Sequence, residues 1–211
     1  LDYCFYNDKN WLSIISKQSI FKVKFIGSFI EGELMSLLPI IILNKRFINI
    51  IGSPVAGAFT EFLGPLFLQN IDDSNKSQIF SSQLDLLMKN QDLIEFRLKN
   101  NSHYNNLFSK DFEEKKFEYK ERPSLEIDLT SGEEFIWKSF KGRARNSIRK
   151  AEKNNVAIKK VVPDNAWITS YYKSLRETFL RRGENPPHSF NFYKSLLNPK
   201  YAEIFSFYDA R

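Results

Sequence analysis

The sequence is poor in the residues that build disulfide frameworks and metal sites. Its 211 residues include one cysteine, Cys4, and two histidines, His103 and His188. A single thiol cannot form an intrachain disulfide or supply the paired thiolates of a cysteine-based zinc site. Each histidine could serve as a general base, yet neither has a carboxylate or serine at a recognisable catalytic spacing. We therefore expect no metal site, no bound cofactor and a reducing compartment.

Long apolar runs and familiar catalytic motifs are also missing from the sequence. The longest apolar stretch, residues 37–43, is far shorter than the roughly 20 residues that cross a bilayer. The first eight residues have neither the basic start nor the apolar run of a signal peptide. There is no P-loop, nucleophile elbow, Rossmann glycine fingerprint or paired-histidine metal signature. We expect a cytoplasmic protein, soluble or peripheral at the inner face of the membrane.

What the chain does have is enough apolar material for a core and an excess of positive charge. Apolar residues make up 42% of the sequence, the formal net charge is +6 and the pI is near 9.2. This charge suits an anionic partner, such as a phosphate-bearing substrate, RNA or an acidic membrane surface. Charge alone does not choose among them.

The spacing of apolar residues predicts a strand-rich first half and a second half in the order α-α-β-α-α-β. The predicted helices cover residues 8–17, 73–90, 133–154 (one helix, or two hinged at Gly142), 164–181 and 189–197. The predicted strands cover residues 21–31, 34–43, 47–51, 93–98, 156–162 and 203–208, with further extended segments at 115–119 and 124–129. A structured loop is expected at residues 52–65 and a loop or helix start at 100–106. This order indicates an α/β or α+β layered fold. Because the strand at 203–208 reads as the first arm of a hairpin, we also expect more chain to follow.

The segment 137–154 carries the most informative pattern. On a helix its apolar residues recur at spacings of three and four and form one stripe that can pack against a sheet: Trp137, Phe140, Ala144, Ile148 and Ala151. Arg145 and Arg149 then line one flank of the stripe, and Arg143 and Lys150 line the other. These cations can bind a phosphate or carboxylate. They can equally form a solvated surface that pairs with nearby glutamates.

A second group of residues, 178–189, has a sufficient structural explanation. Arg181 and Arg182 stand at a predicted helix C-terminus, where cations are favoured. Gly183 ends that helix and Ser189 caps the next one.

Three sets of motifs resemble the FemAB-like peptidoglycan aminoacyltransferases, a family of the GNAT superfamily with a BioF2-like acetyltransferase domain. Residues 145–156 are similar to the pattern R-x-x-I-R-K-A-E-K-x-G-V, with Asn155 in place of glycine. Residues 178–193 resemble its T-x-x-R-x-G-x-P-P segment. Residues 38–39, 52–54 and 61–65 resemble the sheet and Gly-Pro loop of its first domain.

The resemblance implies a tandem GNAT-like fold in which the second module is truncated at the C-terminus. The first module would cover residues 1–123 and the incomplete second module residues 124–211. It also implies an acyltransferase that moves an activated acyl or aminoacyl group to an amine of a cell-envelope glycan or peptidoglycan precursor.

In such an enzyme the donor is aminoacyl-tRNA or acyl-CoA, and the acceptor is an anionic, phosphate-bearing glycan or nucleotide sugar. The resemblance places substrate contacts at Arg143, Arg145, Arg149 and Lys150, with Arg182 shaping the cleft and Glu61 touching the acceptor. It identifies no catalytic residue.

Two other hypotheses remain, a noncatalytic RNA-binding protein and an inactive GNAT-like scaffold. An RNA-binding surface would interleave aromatic residues with the cations, whereas Trp137 and Phe140 fall on the apolar stripe, which favours the enzyme.

Overall fold

The computed structural model describes residues 5–45, 48–68, 70–89, 93–98, 102–118, 120, 123, 127–197 and 203–209. The chain divides into two compact units. The first unit comprises Leu1–Phe117 and Arg176–Ser195, and the second comprises Glu118–Leu175 and Leu196–Arg211. The module boundary expected between residues 123 and 124 adjoins residues outside the described part, so that expectation stays a prediction.

The first unit has a capped helix followed by a hairpin, in the ranges predicted for a helix and two strands. Helix α1 (Lys9–Ser16) starts after Asp8, whose Oδ1 accepts from the backbone N–H of Asn10 at 2.7 Å. This bond satisfies one of the amides that an α-helix leaves free at its first turn. Strands β1 (Phe21–Ile30) and β2 (Glu33–Lys45) then pair antiparallel. Glu31 and Gly32 form their turn with φ of 50° and 86°, the left-handed backbone that a tight hairpin requires.

These strands belong to a mixed sheet. Strand β3 (Ile48–Ser53) runs antiparallel to β2, and the short β4 (Leu66–Phe67) pairs with another part of β2. Strand β5 (Leu93–Phe96) lies parallel to β3 at the end of the order β1-β2-β3-β5. A parallel neighbour needs a crossover connection, which helix α2 (Asp73–Met88) provides.

The core of this unit lies between the sheet and two helices, α2 and α3 (Ser102–Glu114). The rings of Phe80 on α2 and Phe108 on α3 have no exposed surface, and their centroids are 4.3 Å apart. Leu38 and Leu84 are also fully buried in this cluster. Apolar burial of this extent is the main source of the unit's stability.

The second unit holds helices α4 (Glu133–Ser139) and α5 (Gly142–Lys153), most of α6 (Asn165–Leu180), and an antiparallel pair of strands, β6 (Val156–Val161) and β7 (Ile204–Asp209). The division between the units falls inside α6, between Leu175 and Arg176, and again near the end of helix α7 (Phe190–Leu196). No helix within the described ranges is long and apolar enough to cross a membrane.

Two predicted extended segments differ from the structure. Residues 102–114 form helix α3, which agrees with the helix start that was one alternative for residues 100–106, but Lys115 forms a turn rather than part of an extended segment. Burial of Phe108 in the core stabilises this helix, and its Asp111 accepts a hydrogen bond from Ser77 Oγ of α2 at 3.0 Å. The expected strand at 124–129 lies partly outside the described residues, and its last residue, Leu129, begins a 3-10 turn instead.

Candidate functional site

The basic segment folds as two helices with a break between them. Phe140 and Lys141 take extended backbone conformations, with ψ of 138° and 147°, so α4 ends at Ser139 and α5 begins at Gly142. The break agrees with the alternative of two helices hinged near Gly142. Helix α4 starts at Glu133, as predicted, with Gly132 at its N-cap position and no side chain capping it.

The apolar stripe of this segment is only partly covered. Trp137 and Phe140 are half-buried and contact each other edge to face, with ring centroids 6.2 Å apart. Ile148 is 36% exposed, and neither α4 nor α5 contains a fully buried residue. The expectation of a buried stripe is therefore wrong in degree.

One flank of α5 is occupied by contacts with α4. The Arg145 guanidinium donates from Nη1 to the backbone carbonyl of Lys138 at 3.0 Å and to that of Phe140 at 2.5 Å. These carbonyls belong to the end of α4, where an α-helix leaves acceptors without internal partners. Arg149 lies over the indole of Trp137, with Cζ 5.6 Å from the ring centroid, a cation–π arrangement. Two of the four predicted cations thus hold the helices together.

The other flank faces solvent. Arg143 and Lys150 are seven residues apart, about two helical turns, and therefore project from the same side of α5. Both side chains are exposed, and within the described part of the chain neither has a hydrogen-bond or ion-pair partner. This side of the helix therefore presents positive charge without internal compensation.

Asn155, which follows α5, adopts a φ of 55°. This is the left-handed conformation that glycine adopts most easily and that asparagine tolerates better than most residues. It explains how asparagine can stand where the FemAB-like pattern has glycine.

In the first unit, β3 extends through Gly52 and Ser53, so the loop predicted at 52–65 begins at Pro54, and close packing around its start orders it. The Ser53–Pro54 peptide bond is cis. A Cβ on Gly52 would lie 2.5 Å from the carbonyl oxygen of Glu95 and 2.8 Å from that of Pro54, so only glycine fits. Within this loop Glu61 is exposed, whereas the neighbouring Thr60 is buried and accepts from Trp11 Nε1 at 3.1 Å.

The end of β5 holds this loop with contacts that the sequence patterns did not indicate. Glu95 Oε2 accepts from the backbone N–H of Ala56 at 2.8 Å, and Glu95 Oε1 accepts from Arg97 Nε and Nη2 at 2.8 and 2.7 Å. The backbone of Arg97 also donates to Ser53 at 3.0 Å and accepts from Leu63 at 3.1 Å. The only sequence signal was an acid and a base two residues apart on one strand face.

The segment after α6 separates a solvent-facing cation from a buried imidazole. Arg182 is exposed, and Gly183 takes a φ of 73° as the helix ends. His188 is buried, and its Nδ1 lies 3.0 Å from Oε1 of Gln18. Burial lowers the pKa of His188 below its ordinary value, which favours a neutral ring. Ser189 Oγ accepts from the backbone N–H of Phe192 at 3.3 Å, as expected of the cap of α7.

The predicted site residues do not form one cluster within either unit. Arg143, Arg145, Arg149 and Lys150 belong to the second unit, and Glu61 and Arg182 to the first. A shallow depression of about 480 Å³ is lined by Glu177, Leu180 and Arg181, none of which was among the predicted contacts. The side chain of His103 lies outside the described residues. Among the described side chains, no group of three metal-binding residues is close enough to share an ion.

Together the elements define a mixed α/β protein with a mixed sheet. A search of solved structures finds the same fold in the crystal structure of FemX, with a TM-score of 0.61 and 15% sequence identity. The match covers 97% of this chain and 52% of the FemX chain, so this chain spans about half the length of that protein. No family model and no curated protein matches the sequence. At this identity the match concerns the fold, and it supports the FemAB-like fold that the motifs predict.

Proposed function

We propose that the chain is part of a FemAB-like acyltransferase with tandem GNAT-like modules. The enzyme transfers an activated acyl or aminoacyl group to an amine of a peptidoglycan or other cell-envelope glycan precursor. Two independent lines support this proposal. The three sets of motifs resemble the family in the right order along the chain, and the chain shares its fold with FemX over 97% of its length.

The observation that carries the proposal is that the four cations of α5 have two different environments. Arg145 and Arg149 bind α4, whereas Arg143 and Lys150 have no partner among the described residues. An exposed arginine and lysine two turns apart suit an anionic ligand, because arginine binds a phosphate through two parallel hydrogen bonds and lysine adds a point charge. We therefore assign the phosphate contacts to Arg143 and Lys150. Arg145 and Arg149 act by holding the helix that presents them.

The proposed chemistry needs few special groups. An amine attacks the carbonyl of the aminoacyl ester or acyl thioester when the two are aligned, a nearby group accepts the proton, and hydrogen-bond donors stabilise the oxyanion. The oxyanion then collapses, the C–O or C–S bond breaks, and the hydroxyl of tRNA or the thiol of CoA leaves with a proton as the amide forms. No covalent intermediate on the protein is needed. Alignment by anion contacts such as Arg143 and Lys150 accounts for part of the rate, and we assign no proton-accepting residue.

The remaining assignments follow from the same family resemblance. The donor is an aminoacyl-tRNA or an acyl-CoA, and the acceptor is a phosphate-bearing glycan or nucleotide sugar. Glu61 contacts the acceptor and Arg182 borders its site, both as exposed side chains. The reaction takes place in the cytoplasm, where these precursors are made, with peripheral contact at the inner face of the membrane.

The test is a transfer assay with the full-length protein. A soluble precursor, UDP-linked muramoyl pentapeptide, is incubated with aminoacyl-tRNA or acyl-CoA donors, and the product is detected by its mass. We expect one donor class to give product. Arg143→Gln with Lys150→Gln should raise the KM of the anionic substrate by roughly tenfold or more, because hydrogen bonds to charged groups contribute substantially to the binding free energy.

A matched control removes the same two charges elsewhere. Lys159 and Lys173 are exposed residues of the same unit, and their double replacement by glutamine should change KM less than about twofold. Equal effects of the two double variants would indicate a general charge effect and contradict the assignment. Tight, salt-sensitive RNA binding with no transfer by any donor would favour the noncatalytic RNA-binding hypothesis instead.

A further inference from the structure

We infer that Glu95 is a positioning residue for the loop 54–64, and that the exposed tip of this loop is a preformed contact surface for the acceptor. The inference rests on the proposed function, because it concerns the same acceptor that Glu61 is proposed to touch. It assigns a role to a carboxylate that neither the motifs nor the fold match identifies.

Both oxygens of the Glu95 carboxylate accept hydrogen bonds. One oxygen accepts from the backbone of Ala56 at 2.8 Å, and the other accepts from both Arg97 nitrogens at 2.7 and 2.8 Å. Arg97 thus fixes the orientation of the carboxylate that holds the loop. Because both side chains are only about a quarter exposed, at 28% and 27%, these bonds are less screened by water than those of a surface ion pair.

Hydrogen bonds hold the loop at both ends and in the middle. The backbone of Arg97 bonds Ser53 where the loop begins and Leu63 where it ends. Thr60 in the middle is buried and accepts from Trp11 Nε1. A loop tied at three points gives its tip one conformation before any ligand arrives, which lowers the entropy cost of binding.

The tip of the loop exposes an aromatic and an acidic side chain. Residues on either side of the inward-facing Thr60 point outward, since Phe59 is 51% exposed and Glu61 is exposed. Phe59 has a φ of 56°, a strained conformation for a residue with an aromatic side chain. Its ring meets His188 and Phe192 at centroid distances of 5.3 and 5.5 Å. The surrounding contacts therefore hold an exposed aromatic ring in a conformation that it would not adopt alone.

The test uses the full-length protein and three single variants. Glu95→Gln keeps the size of the side chain but presents an N–H group to one of its two sets of donors. Glu61→Gln removes the charge at the tip and leaves the anchor intact. Asp85→Asn is the matched control, because Asp85 forms an ion pair with Lys115 in the same unit and has no described contact with the loop.

Hydrogen exchange first checks the anchor. The amides of Ala56 and Leu63 should exchange roughly tenfold faster or more in Glu95→Gln than in the wild type, and at the wild-type rate in Asp85→Asn. Unchanged exchange of both amides in Glu95→Gln would overturn the inference at this step.

Steady-state kinetics with UDP-linked muramoyl pentapeptide then checks the function of the loop. Glu95→Gln and Glu61→Gln should each raise the KM of the acceptor roughly tenfold, with the donor KM and kcat within about twofold of wild type. The acceptor KM of the double variant should be no higher than the higher of the two single-variant values, because both changes remove the same contact. A purely structural role for Glu95 would instead raise both KM values or lower kcat, and it would add to the effect of Glu61→Gln.

The two failures are distinguishable. Absence of transfer by the wild type with every donor contradicts the proposed function, and the inference then falls with it. Transfer by the wild type with an acceptor KM that Glu95→Gln leaves unchanged overturns the inference alone and leaves the proposed function standing.

Discussion

Arg149 of α5 lies over the indole of Trp137 of α4, with its Cζ 5.6 Å from the ring centroid. The contact bridges a break in the helix, since the two residues stand on either side of the extended Phe140 and Lys141. Together with Arg145, which hydrogen-bonds the last carbonyls of α4, it turns one flank of a basic helix into a packing surface. The same helix can therefore contribute to stability and to ligand binding through different residues.

The first prediction concerns the stability of this helix pair. Arg145→Ala should lower the free energy of unfolding by about 1 kcal/mol, because the two carbonyls lose a charged donor. Arg149→Ala should lower it by about 0.5 kcal/mol, because the cation–π interaction with Trp137 is removed. Chemical denaturation followed by tryptophan fluorescence measures both changes. Arg143→Ala is the control and should stay within about 0.5 kcal/mol of wild type; a loss equal to that of Arg145→Ala would contradict the division between the flanks.

The second prediction is a pH dependence that arises from His188. Because burial lowers its pKa below 6.5 in the folded state, the unfolded chain binds the proton first as the pH falls. The contribution to stability is therefore full above about pH 6.5 and is lost progressively as the pH falls from there towards the folded pKa.

The measurement is the free energy of unfolding from about pH 5 to about pH 8 for wild type and His188→Gln. The variant removes the titrating ring, so the loss of stability between about pH 6.5 and about pH 5 should be smaller than in the wild type. Parallel curves for the two proteins would show that His188 does not titrate differently in the folded state.

Much of the local structure could be predicted because its causes are local. Helices α1 and α2 start within one residue of the predicted positions, because Asp8 and Asp72 cap them and a side-chain oxygen reaches amides only two or three residues ahead. The two flanks of α5 also follow directly from helical periodicity. Their different partners do not, because those depend on how the chain turns at Phe140.

The anchor of the loop 54–64 could not be predicted in the same way. Glu95 and Ala56 are 39 residues apart, and they meet only because β5 lies parallel to β3 with Glu95 beside Gly52. A composition of glycine and proline indicates a structured loop but not what it binds. The burial of His188 against Gln18, 170 residues away in sequence, is equally a consequence of the tertiary fold.

The third prediction contrasts two glycines. Gly52→Ala should destabilise the protein by about 3 kcal/mol or more, because the new methyl group would lie 2.5 Å from the backbone oxygen of Glu95. Gly142→Ala is the control, since no atom lies within 4 Å of the added Cβ and alanine favours a helix. It should be neutral or stabilise by up to about 1 kcal/mol. Thermal unfolding ranks the two variants, and similar melting temperatures would contradict the close approach at Gly52.

The last prediction concerns a buried polar group in the core of the first unit. Gln83 is 2% exposed, and its Nε2 donates to Ser28 Oγ at 3.0 Å and to Ser36 Oγ at 3.3 Å. Its Oε1 is buried and has no hydrogen-bond partner in the described part of the chain. A buried acceptor without a partner costs about 1–3 kcal/mol, so this network is only partly satisfied.

The free energy of unfolding should therefore respond differently to removal of one polar group of this network and to removal of two. Gln83→Met alone leaves the buried Ser36 hydroxyl without its amide donor and should destabilise the protein by about 1 kcal/mol. Gln83→Met combined with Ser36→Ala removes both polar groups and should return the stability to within about 0.5 kcal/mol of wild type, or above it. A double-mutant cycle of unfolding free energies measures the coupling. Coupling predicts that the loss of stability in the double variant is smaller than the sum of the losses in the two single variants. A loss equal to that sum would show that the two side chains act independently.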